Sequence, residues 1–165
     1  MADHVDFVLE QWGRQRPDLD PSPMGVIGRI RRLARLVDAE LARTFAVHGL
    51  DGSSFDVLAT LRRSDPPHRL TPKQLMRSTM ITSGGVSQRL DRLEGRGLVR
   101  RTPNEADGRG VLVELTEEGR ALIDRALPDH VANEHRVLGA LDESERAELS
   151  DKLRALLESL GDTIE

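Results

Sequence analysis

Residues 71–99 read TPKQLMRSTMITSGGVSQRLDRLEGRGLV. Thr71 with Gln74 three positions on is a capping box, Pro72 suits the first helical position, and Leu75 and Met76 begin an apolar stripe. A few residues later Ile81 precedes Thr82 or Ser83, either of which can cap a second helix. There Val86, Leu90 and Leu93 recur at i, i+4 and i+7, and Gly95 or Gly97 stops the run. Two short helices joined this closely, the second carrying Ser, Gln and Arg on its outer face, form a helix-turn-helix pattern.

At about 100° per residue, Gly84, Gln88, Arg92 and Arg96 point away from the Val86 stripe. Arg and Gln contact base edges bidentately, and a hydroxyl such as that of Ser87 serves base or phosphate. Gly84 and Gly85 allow close backbone approach, and free amides at a helix start suit a phosphate. Lys73, on the first helix of the pair, joins Thr82, Ser83, Gly84, Ser87, Gln88, Arg92 and Arg96 as a candidate DNA contact. The plain alternative is a solvated helix face. Arg89 falls beside the apolar stripe, so half-burial and an anionic or carbonyl partner are expected for it, and a structural ion pair is the simplest reading of its spacing.

Leu98–Arg101 and Val111–Leu115 are strand-like on either side of a Pro/Asn/Asp/Gly cluster at 103–110, which predicts a β-hairpin. Arg100 and Arg101 stand at its base; Arg109 stands at its tip, where Asp107 can brace the loop. A helical pair followed by a hairpin is a winged helix. Thr116 caps a helix running toward Leu138, in which Pro128 is expected to cause a break or kink. Asp142 with Glu145 caps a last helix with the stripe Leu149, Leu153, Leu156 and Leu160.

Upstream, residues 3–15 read as a short helix carrying Val5, Val8 and Trp12, ended by Pro17. Ser22 as cap and Pro23 at the first position open a helix of about 26 residues, roughly 39 Å long, stopped by Gly49. Such a rod packs along a partner helix or a second subunit. Ser53 is expected to open the next helix, with Asp56 as a capping-box acid and Val57, Leu58 and Leu61 as its stripe. Asp56 and Arg63, two turns apart on the face opposite Leu58, read as solvated charges unless another element covers them.

The 165 residues contain no Cys and no Tyr, and only Phe7, Phe45, Phe55 and Trp12 are aromatic. Disulfides, thiol chemistry and Cys-ligated zinc are excluded. The core must be aliphatic, which suits helix on helix. Net charge is −4, yet residues 62–109 hold eleven Lys/Arg against five Asp/Glu. A basic middle between acidic ends suits a polyanionic partner. The expected setting is the cytoplasm, since neither a signal peptide nor a membrane-spanning run can be read. No nucleophile elbow, phosphate loop or zinc-protease motif is present, so no enzyme activity and no cofactor are expected. Asp129, His130, Glu134 and His135 make at best a weak metal site, because the two histidines do not share a helix face.

Leu70-Thr71-Pro72, Ile81-Thr82-Ser83-Gly84, Arg89 to Glu94, Gly97-Leu98-Val99, Asp107 to Gly110 and Leu115 to Gly119 together resemble the MarR family of bacterial transcription regulators over roughly residues 25–160. The resemblance implies a mainly α fold: a winged helix-turn-helix with a small β-hairpin wing and helical dimerisation extensions. It implies one domain over 1–165, with ligand and dimerisation helices in 1–48, the reading head in 53–115 and dimerisation helices in 116–165. The partners it implies are a second copy, a pseudo-palindromic DNA operator and a small aromatic anion that relieves repression. The N-terminal addition, from Trp12 through Met24, is similar to that of the urate-responsive subgroup. That subgroup's ligand residues fall on Trp12, Asp56, Arg63 and Arg89. On this reading urate meets Trp12 and Arg63, displaces Asp56, and so moves the helix bearing Arg89. Gly108 departs from the family, which often has a second Arg in the wing turn. A regulator answering to a phenolic or aromatic carboxylate such as salicylate is the alternative, and a protein–protein interaction module a more remote one.

Overall fold

A computed structural model describes residues 2–79, 86–104 and 110–163. The chain divides into two compact units, one ending at Arg43 and the other beginning at Thr44.

The first unit holds α1 (His4–Gln15) and all but the last turn of α2 (Ser22–Val47). Asp3 accepts from the amides of Val5 and Asp6 at 2.8 and 2.9 Å, and Asp6 accepts from the Asp3 amide at 2.9 Å, a reciprocal capping box. Arg29 of α2 donates to Asp3 at 2.8 Å and to Asp6 at 2.5 Å. Val5 is buried over Gly28, where a Cβ would stand 3.3 Å from a Val5 methyl. The start of α2 differs from expectation: Ser22 is its first residue, not its cap. Asp20 accepts from the Ser22 amide and hydroxyl, both at 2.9 Å, because a carboxylate is the stronger acceptor two residues upstream. Ile27, Ile30, Leu33 and Leu36 form an apolar stripe that stays exposed.

The second unit is built on α3 (Gly52–Arg63), β1 (Arg69–Leu70), α4 (Pro72–Ser78), α5 (Val86–Gly95), β2 (Val99–Asn104), β3 (Gly110–Leu115), α6 (Glu117–Val137) and α7 (Glu143–Ser159). Gly49, at φ +65°, ends α2. Asp51, not Ser53, caps α3 by accepting from the Ser54 amide at 2.7 Å. Asp56 therefore lies inside the helix and takes no part in its cap. Every residue from Ser54 through Leu61 is buried, so α3 is a central helix with no solvated face over that stretch.

The strands form one antiparallel sheet in the order β1-β3-β2. Arg69 and Arg100 both face Glu114 across the ladders, and Val113 lies between Leu70 and Arg101. β1 was not expected; two residues are too short to leave a period in the sequence. Val86, Leu90 and Leu93 of α5 are buried with Leu58, Leu61, Leu75, Val99, Val113 and Ile123. Thr116 caps α6, and Asp142 and Glu145 cap α7, as their spacing requires.

Pro128 does not end α6, which runs unbroken from Glu117 to Val137. Before the proline Ile123 and Ala126 are buried, and after it the His130 ring lies 4.6 Å from Phe55 and 5.3 Å from Phe45. Packing on both sides offsets the roughly 3 kcal/mol that an internal proline costs. α7 contributes no buried residue; Leu149, Leu153, Leu156 and Leu157 are exposed.

Candidate functional site

The DNA-facing candidates separate by position. Ser87, Gln88, Arg92 and Arg96 are exposed on or just beyond α5, on the side opposite its buried leucines, and Lys73 is exposed on the first turn of α4. Thr82, Ser83, Gly84 and Arg109 lie outside the described residues. Arg92 Nη1 donates to Asp51 Oδ2 at 3.2 Å, both side chains being more than half exposed. Burial pushes the Asp51 carboxyl up, but the Ser54 amide, the Ser53 and Ser54 hydroxyls and the Arg92 charge together hold it below the ordinary Asp value. Asp51 is thus both helix cap and counterion to a proposed DNA contact. Asp51→Ser keeps a capping oxygen and removes the charge. It should leave the melting temperature nearly unchanged and tighten binding to duplex DNA about two- to fivefold at low salt. Weaker binding would mean instead that Asp51 holds Arg92 in its reading position.

Two ion-pair networks join the reading head together. Glu114 is buried and receives Nε–H of Arg100 at 2.5 Å and Nε–H of Arg69. Burial pushes its carboxyl up; the two guanidiniums outweigh that and hold it below the ordinary Glu value. Arg101 donates through Nη1 to Glu94 at 2.5 Å and through Nη2 to Asp91 at 2.6 Å, and its amide donates to Glu94 at 3.1 Å. Arg100 and Arg101, the charges at the base of the wing, are both engaged within the protein. The register shows why: the Glu in Val113-Glu114-Leu115 lies directly opposite Arg100. The pairing of an acid on one strand with a base on the other was the signal available in the sequence.

Of the ligand candidates, three lie in the second unit. Asp56 is buried, 9% exposed, and Arg63 Nη1 stands 3.9 Å from its Oδ1. The expectation of two solvated charges is corrected for Asp56, because the surrounding elements close over α3 on all sides. Arg63 is half exposed and donates from Nη2 to the Ser78 carbonyl at the end of α4, at 2.6 Å. Arg89 is half-buried, and its Nη1 is enclosed with no hydrogen-bond partner among the described residues. An enclosed guanidinium N–H without an acceptor is costly. Trp12 lies on α1 of the first unit, 41% exposed.

His130 Nε2 stands 3.2 Å from Glu134 Oε1, and His48 Nε2 pairs with Asp129 Oδ2 at 2.8 Å. Among the described residues no group of three or more His, Asp or Glu is arranged to hold a metal ion. Among them, too, no helix is long and apolar enough to cross a membrane.

The sequence model of the MarR family matches residues 48–110. The chain is 43% identical to the HTH-type transcriptional regulator PecS of Dickeya dadantii, over 93% of this chain and 90% of that one. Among solved structures it is similar to Sco3205 of Streptomyces coelicolor, a MarR family transcriptional regulator in complex with DNA. That match has a TM-score of 0.78 and 28% identity, over 86% of this chain and 93% of the other. It is also similar to BpsR of Bordetella bronchiseptica, whose DNA binding is regulated by 6-hydroxynicotinic acid, with a TM-score of 0.72 and 28% identity over 79% and 91%. The exposed Gln88 and Arg92 on a buried-backed helix, the three-stranded wing beside it and these relatives agree: the chain belongs to the MarR family of DNA-binding transcriptional regulators.

Proposed function

We propose that the protein is a homodimeric repressor that grips a pseudo-palindromic operator in the cytoplasm and releases it on binding urate or a related purine anion. The observation that carries the ligand half is Arg89. It lies on the helix that exposes Ser87 and Gln88, yet its own Nη1 is enclosed without an acceptor among the described residues. An anion that supplies that acceptor acts directly on the reading helix. The resemblance adds Arg63 as a second charge and Asp56, 3.9 Å from it, as the carboxylate that the anion repels. Trp12 enters through the resemblance, as a flat apolar wall with one N–H donor. The ligand acts only through its differential affinity for the two arrangements; a coupling of about 1–3 kcal/mol shifts operator affinity 5- to 150-fold.

The DNA half assigns base and phosphate contacts to Lys73, Thr82, Ser83, Gly84, Ser87, Gln88, Arg92, Arg96 and Arg109. A second copy is supported by the apolar stripes that α2 and α7 leave exposed. The test is enrichment of genomic fragments by the purified protein, with and without urate. Expected are an inverted repeat with half-sites about one helical turn apart and its loss in urate. Trp12→Ala, Arg63→Ala and Arg89→Ala should each blunt that loss. Undiminished release in all three, or none at millimolar urate, removes the urate reading. An aromatic carboxylate is the second reading, favoured by the 6-hydroxynicotinic acid named for BpsR; release by salicylate where urate fails would select it.

A further inference from the structure

Asp91 and Glu94 are acids on the helix proposed to read DNA. Asp91 follows Ser87 by one turn, about 6 Å along the axis, inside a Debye length of any phosphate that Ser87 touches. Asp91 is 65% exposed. Left alone, these two carboxylates would oppose the duplex. Arg101 of β2 meets both: one guanidinium nitrogen on Glu94, the other on Asp91, and the Arg101 amide on Glu94 as well. Its side chain is only 28% exposed, so the guanidinium is turned mainly toward the pair. The Asp91 partner first, and then Glu94, raise its pKa further. Three hydrogen bonds thus tie the second half of α5 to strand β2 of the wing hairpin.

We infer that Arg101 is the positioning residue that fixes the wing against the reading helix and screens that helix's acids from DNA. It touches no phosphate. The inference rests on the DNA-binding reading above. Its test compares Arg101→Gln in the unaltered chain and in an Asp91→Asn, Glu94→Gln background. The probes are a short random-sequence duplex and the inverted repeat recovered by enrichment. In the unaltered chain the substitution should weaken binding to both about tenfold. In the neutralised background, where the brace is already gone, it should change binding twofold or less. An equal loss in both backgrounds, with the salt slope falling by about 0.9, would make Arg101 a direct phosphate contact and overturn the inference.

Hydrogen exchange without DNA gives an independent arm. Arg101→Gln should speed exchange in residues 86–95 and 99–104 together. Faster exchange confined to 99–104 overturns the brace. If the unaltered chain binds neither duplex, the DNA-binding reading fails by itself, and the exchange arm still decides what Arg101 does.

Discussion

Gly119→Ala should destabilise the protein by about 3 kcal/mol or more, lowering the melting temperature by roughly 6–12 °C. A Cβ at Gly119 would lie 1.9 Å from the Leu98 carbonyl oxygen and 2.8 Å from its carbon. Both are backbone atoms, so no side chain can turn aside. The same carbonyl accepts from the Thr116 amide at 3.1 Å, at the N-terminal cap of α6. The close approach fastens α6 to the short link between α5 and β2. Relief of the clash must therefore move either the wing or the reading helix, and duplex affinity should fall with stability. Gly95→Ala is the control. Nothing lies within 4 Å of the added carbon there, and the helix-forming gain of about 1 kcal/mol should make it neutral or stabilising. Equal melting curves for the two variants would refute the packing argument.

Glu114→Ala comes second, at about 1–3 kcal/mol. Removing the buried carboxylate leaves Arg69 and Arg100, on the two strands that flank β3, with no shared counterion. Both cations reach water, being 42% and 63% exposed, which keeps the cost below that of a fully buried charge. The pH dependence has a definite sign. The folded-state pKa of Glu114 lies below its ordinary value of 4.5. Its contribution is therefore fully present above that value and is lost as pH falls through the lowered folded pKa. Glu114→Gln should flatten the loss of melting temperature on acidification below about pH 4.5, while lowering it at neutral pH. An acid limb of unchanged slope would show that the pair contributes nothing.

How far the sequence went depended on the range of the interaction concerned. The stripe of Val86, Leu90 and Leu93 and the caps at Thr71, Thr116 and Asp142 involve residues at most seven apart, and all were readable. Gly49 needed no neighbours either, only a positive φ. Errors began where a partner lay elsewhere in the chain. Asp56 was read as a cap and a solvated charge, because its burial comes from elements that close over α3. Pro128 reads as a break or a kink; the break is absent, because the rings of Phe45 and Phe55, far upstream, help hold α6 together. Ser53 reads as the cap of α3 where Asp51 serves; both residue types can cap, and only the path of the chain into α3 chooses between them.

The candidate site divides in the same way. That α5 offers Gln88 and Arg92 outward and Arg89 to the side follows from helical geometry alone. That Arg92 has Asp51 as its counterion, that Arg101 spans Asp91 and Glu94, and that Arg89 keeps an enclosed nitrogen does not. The sequence by itself determined the helices, the hairpin and the family, because period, capping and turn chemistry act within a few residues. Only the tertiary structure decided which charges are free for a ligand or a phosphate and which are already neutralised. A charge's partner is set by distance in space, and folding brings Glu114 to Arg69 across 45 positions of chain.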